Sequence, residues 1–139
     1  MGFLGTVASL YADLTLVDQI TGFIILFSAS VYAKRKDLSK HFKLARIAVF
    51  LGVVTLIWMA YSLILHFLTG ALFLDIYGAL LIVHAAVGSL ALFAGVSFAF
   101  DRLIRKTINP MRIVFLLWIA ALFLGIIFYI SYYNVLDLI

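Results

Sequence analysis

The stretch KRKDLSKHFKLARIAVFLGVVTLIWMAYSLILHFL (Lys34–Leu68) joins two opposite kinds of sequence. Lys34, Arg35, Lys36, Lys40 and Lys43 crowd its start, whereas from Leu44 onward Arg46 is the only Lys, Arg, Asp or Glu and the run is apolar apart from Thr55, Ser62 and His66. A helix rises about 1.5 Å per residue, so roughly 20 such residues cross a hydrocarbon layer about 30 Å thick. Only a helix or a closed barrel can do so, because lipid offers backbone N–H and C=O groups no partners. The stretch therefore reads as a membrane-spanning helix standing on a basic foot.

The rest of the chain follows the same pattern. Three further apolar spans run from about Leu14 to Ala33, Ala79 to Phe100 and Pro110 to Tyr133. Pro110 suits a first helical turn, with Asn109 as the expected N-cap. Of the 139 residues, 67% are hydrophobic and only 12% are charged. A soluble domain with so little polar surface could not cover its core; typical soluble domains are about 45–50% apolar and about 25% charged. The expected fold is all-α: an integral membrane four-helix up-down bundle filling a single transmembrane domain over residues 1–139. The N-terminal MGFLGTVASLYADLTLVDQ carries no Lys or Arg, so no cleaved signal peptide is expected.

All ten Lys and Arg residues border the first or the third connection. The positive-inside rule makes that face cytoplasmic and puts both termini outside, in a multi-pass cell-membrane protein. The net charge of +4 is then a matter of topology and calls for no nucleic acid, although a basic face can hold anionic headgroups. Asp13, Asp18, Asp75 and Asp137 fall toward the other face, where Tyr77, Tyr129, Tyr132 and Tyr133 suggest an aromatic belt. Shifting the chain by 66 residues aligns Gly22 with Gly88, Leu26 with Leu92 and Arg46 with Arg112, which suggests two repeated hairpins. The same shift places His84 on Asp18 and His66 on Tyr132.

Chemistry is scarce. The chain has no Cys, and all six acidic residues are aspartates. Thiolate metal sites, iron–sulfur clusters and covalent haem attachment are excluded. No paired carboxylates, phosphate loop or Ser–His–Asp arrangement points to hydrolysis or acyl transfer. What remains is a histidine in LLIVHAAVGSLAL (Leu80–Leu92) and another at the end of the second span. His84 heads a helical face of small residues, Gly88, Ala91 and Gly95. His66 shares a face with Ser62, Met59, Thr55, Gly52 and Ala48. Both faces suit the bundle interior, while the opposite faces, with Trp58, suit lipid. Counting from the link Thr69–Gly78, the two histidines lie within a few ångström in depth, in the outer half. His41 lies 25 residues before His66, about 37 Å away along a helix.

An imidazole within a span suggests a site. Haem b would take His66 and His84 as ligands, with Gly88 giving the macrocycle room. A copper ion would take His66, His84 and the Met59 thioether. Asp18, Ser62 and Tyr132 would orient such ligands from behind. Alternatively, the histidines only hydrogen-bond within the core.

KDLSKHFKLA (Asp37–Ala45), YSLILHF (Tyr61–Phe67), Tyr77, LLIVHAAVGSLAL and the Gly- and Tyr-bearing last span together resemble the bacterial and archaeal membrane family called domain of unknown function 420. The resemblance covers roughly Lys34 to Tyr133 and matches His41, His66 and His84. It implies a role in maturing cytochrome c oxidase and its haem. Family members tend to carry a further histidine after the third span, where this chain has Asp101. Either the cytoplasmic-side site is missing here, or Asp101 supplies an oxygen ligand beside His41. Three functions compete. The first is a respiratory-chain protein assisting haem–copper oxidase biogenesis, with a terminal oxidase or a second copy as partner. The second is a small b-type cytochrome exchanging electrons with quinone. The third is a structural subunit of a larger membrane complex.

Overall fold

The computed structural model describes residues 3–68, 76–100 and 108–133; for His66, Phe67 and Ile108 it describes the backbone alone. Four helices account for nearly all of them: α1 (Leu10–Lys34), α2 (Leu38–Leu68), α3 (Ile76–Ala99) and α4 (Ile108–Tyr132). Each is long and apolar enough to cross a membrane, so the chain is a multi-pass membrane protein. Asp75, Asp101, Arg102, Arg105, Lys106, Asp137 and most of the link after α2 lie outside the described residues.

The helices begin and end for local reasons. Ser9 adopts an extended conformation, and its Oγ accepts from the Ala12 N–H at 3.2 Å, capping α1. At the other end Lys36 takes a left-handed φ of 62°. The Asp37 N–H then bonds back to the Tyr32 carbonyl and the Lys36 N–H to the Ala33 carbonyl, closing α1 with a Schellman motif. Asp37 at once caps α2, its Oδ1 accepting from the Lys40 N–H at 3.2 Å. That cap starts α2 six residues before the apolar span, so the basic foot, His41 included, is itself helical. α4 likewise starts at Ile108, and Asn109 lies inside its first turn instead of capping it. Pro110 is tolerated there because first-turn N–H groups have no helical partner to lose.

The helices pack in a ring, α1 beside α2, α2 beside α3, α3 beside α4 and α4 beside α1, and among the described residues no diagonal pair brings its backbones close. Packing is extensive within each hairpin, α1–α2 and α3–α4, and sparse between hairpins. The 66-residue shift carries the first residue of α1 onto the first of α3. It also carries one cross-hairpin hydrogen bond onto another. The Thr55 hydroxyl on α2 donates to Asp18 on α1, and His84 on α3 bonds to Ala121 on α4, with both partners displaced by 66.

Burial divides the bundle along its axis. The half nearer the basic foot is close-packed around Ala29, Ala48, Val49, Leu92, Ala94 and Phe98, all buried. Small residues make this possible: a Cβ on Gly52 would stand 2.9 Å from the Trp118 indole, and one on Gly95 would stand 3.3 Å from Val49. Trp118 thus lies across the interior, and its Nε1–H donates to the Ala91 carbonyl at 3.3 Å. Above it the helices part around a cavity. Large apolar side chains such as Phe50, Ile57, Ile64, Leu90 and Phe123 cover the outside, as a lipid-facing surface requires.

Candidate functional site

The cavity holds about 370 Å³ and is lined from all four helices. Most of its wall is apolar. Its polar members include Asp18, Gln19, Thr55, Ser62 and His84. A second hollow of about 280 Å³ adjoins it toward Ser9 and Tyr129, and His84 lines both.

His84 is 5% exposed. Its Nδ1 stands 2.9 Å from the Ala121 carbonyl of α4. A carbonyl can only accept, so Nδ1 must carry the proton. In the neutral ring the lone pair then belongs to Nε2. Among the described residues Nε2 has no hydrogen-bond partner, and His84 lines the cavity. Gly125 makes this pose fit: a Cβ there would fall 2.9 Å from His84 Cε1 and 3.0 Å from Gln19 Oε1.

The other expected site residues are placed as follows. Gly88 lines the cavity beside His84, and a Cβ on it would meet only Ala121, at 3.8 Å. Asp18 lines it from α1 and accepts from Thr55; its recorded partner is thus a hydroxyl and not an imidazole. Met59 lines it from α2, and the Gln19 amide donates to its sulfur at 3.6 Å. Ser62 and Tyr132 belong to the wall as well, Tyr132 with its ring edge-on to Tyr77 at 6.0 Å. The backbone of His66 continues α2 at the outer level, but its side chain lies outside the described residues, as does Asp101. His41 stands at the opposite end, with Nδ1 2.9 Å from the Ala29 carbonyl of α1.

One polar cluster differs from the sequence reading. Asp13 is fully buried, and Tyr129 is 8% exposed, so Tyr129 does not belong to an interfacial belt. The Tyr129 hydroxyl donates to Asp13, the Leu4 N–H donates to its Oδ2 at 2.9 Å, and Thr6 Oγ1 lies 3.4 Å from Oδ1. The cluster pins the segment before α1 across the outer end of α1 and α4. At 100° per residue Asp13 lies about 140° around α1 from Asp18, so a reading based on one inward stripe passes over it. Gln19, adjacent to Asp18, was hidden for the same reason.

These donors can be weighed against the expected cofactors. A single imidazole lone pair, oriented from behind by a backbone carbonyl and flanked by Gly88, fits axial haem ligation. A copper ion would take the same imidazole together with Met59, whose sulfur accepts from Gln19, and His66, whose side chain lies outside the described residues. No protein-family model, curated protein sequence or solved structure matches the chain.

Proposed function

We propose that this membrane protein assists the biogenesis of a haem–copper oxidase and that the outer half of its bundle would hold haem b through His84 Nε2. The membrane is a cell membrane, with the basic connections cytoplasmic and both termini outside. The observation that carries the reading is the His84–Ala121 hydrogen bond, which fixes the imidazole as a Nε2 donor beside a cavity. With Nδ1 engaged by Ala121, the Nε2 lone pair is the atom left for a ligand. The short motifs at Asp37–Ala45, Tyr61–Phe67 and Leu80–Leu92 support the respiratory assignment and a terminal oxidase as partner. His66, whose backbone lies at the outer level of α2, is the candidate for a second ligand.

In this scheme the chain's own residues bind and orient. Ala121 holds the imidazole ring, Gly125 and Gly88 leave room for it and for a flat ligand, and the Leu- and Trp-lined wall keeps water away. Haem, when bound, would supply a redox-active iron. The test is a titration of the detergent-purified chain with hemin. A saturable Soret shift at one equivalent, with sharpened visible bands on reduction, is expected in the native chain and absent in His84→Ala. An identical titration of His84→Ala removes the assignment.

A further inference from the structure

The way into the cavity constrains what fills it. Most cavity-lining residues are buried or half-buried, but Ala60, Ile82, Ser89 and Tyr132 are exposed. Tyr132 stands at the outer end of α4, whereas Ala60, Ile82 and Ser89 lie at membrane depth on the seam between α2 and α3. Leu56, Ala60 and Leu63 recur at i, i+4 and i+7 on α2, and Ile82, Ala85 and Ser89 at i, i+3 and i+7 on α3, so each set is one helix face. The two faces are opposite walls of a single cleft, in keeping with the sparse packing between these helices. Ser89 is near the middle of α3, far from either aqueous end. At the back of the cleft stands the His84 imidazole, more than nine-tenths buried, with Nε2 free of protein partners among the described residues.

We infer that the cleft between α2 and α3 is a lateral portal through which a lipid-soluble, flat amphiphile reaches His84 from the hydrocarbon layer. A water-borne solute is disfavoured by this route, because its path would run past Leu56, Leu63 and Ile82 at membrane depth, where polar groups must shed their water. An amphiphile already dissolved in the bilayer meets no such barrier. Its apolar edge can stay between the walls while its polar centre meets the Nε2 lone pair, with Asp18 and Gln19 across the cavity. Haem is one member of this class, so the identity of the ligand rests on the function proposed above, whereas the portal does not.

Trp118 lines the cavity and serves as a reporter, because Trp58 is the only other tryptophan. The Trp58→Phe chain is reconstituted in phosphatidylcholine vesicles whose acyl chains are brominated midway. An open cleft lets brominated chains approach Trp118 and quench most of its emission relative to unbrominated vesicles. Adding Ala60→Phe with Ser89→Phe should restore most of that emission. Adding Ile57→Phe, equal bulk on the lipid face, should not. Ser89→Phe alone, at an exposed position, gives a smaller change of the same sign if the double plug does not fold. Quenching that is equal with and without the plug overturns the portal. Hemin dissolved in the same vesicles separates the two claims. If the plug blocks quenching but the unplugged chain takes up no hemin, the portal stands and haem falls. If hemin binds equally fast in plugged and open chains, the portal falls and haem stands.

Discussion

Gly125 is where a single hydrogen atom decides the position of the imidazole. A methyl group there would overlap His84 Cε1 at 2.9 Å and Gln19 Oε1 at 3.0 Å. Overpacking of this kind costs about 1–3 kcal/mol. Gly125→Ala should therefore destabilise the bundle to that extent in a detergent-unfolding titration and weaken hemin binding, with helix content by circular dichroism unchanged. The buried Asp13 makes a second prediction. Tyr129→Phe removes a donor from a carboxylate with no exposure, and losing a hydrogen bond to a charged group costs about 1.5–3 kcal/mol, read in the same titration. At the cytoplasmic end the Lys40 backbone N–H, helped by the Lys40 ammonium 3.2 Å away, holds the Asp37 carboxyl below its ordinary range. A lowered value means that the cap contributes fully above the ordinary aspartate pKa of about 4 and is lost as pH falls through the lower folded value. The protection factor of the Lys40 amide should fall only in that acid range, and Asp37→Asn should abolish that pH dependence. His84 was legible as a residue because an imidazole inside an apolar run has few uses. Its tautomer was not, since that depends on which backbone carbonyl of another helix it meets.

At the scale of the helices, hydropathy located all four spans, because about 20 apolar residues in a row have few other readings. It misplaced their ends, because caps are set by local hydrogen bonds and not by lipid. Asp37 starts α2 well inside the basic loop, and Pro110 sits in the first turn of α4 and not at its opening position. The 66-residue shift was visible as a weak match of apolar residues. The folded chain gives it a physical counterpart, with Asp18–Thr55 in one hairpin standing where His84–Ala121 stands in the other. Each bond ties two helices of one hairpin at the same register. Thr55→Val keeps the shape but leaves Asp18 without that donor, which should cost about 1–3 kcal/mol and loosen α1 from α2. Unfolding in detergent, with fluorophores on the two helices reporting their separation, measures both. The shift also shows where the halves diverge: Met59 stands where the second half has Gly125, and Gly52 where it has Trp118. Of these pairs Trp118 and Gly52 meet directly, the indole lying against the glycine.

For the whole molecule, the division into a close-packed inner half and a cavity-bearing outer half follows from where small and polar residues fall on inward faces. The inward face could be read from His84, Gly88, Ala91 and Gly95, and the outer level of a site from the two histidines, but the change in packing along the axis could not. The lateral cleft could not, because it depends on how far the two hairpins stand apart. Topology is open to direct test in a chain without Cys. Lys36→Cys should react with an impermeant maleimide only from the cytoplasmic side, and Ser9→Cys only from outside; the reverse pattern would invert the site relative to the cell. The central claim concerns one nitrogen atom. Nitrogen-15 NMR of the histidine-labelled chain in lipid measures it, with His84→Gln identifying the signal. His84 should show a neutral ring with its proton on Nδ1 and an unprotonated Nε2, and its ring resonances should shift when hemin is added. A proton found on Nε2, or a His84 spectrum that hemin leaves untouched, would contradict that claim.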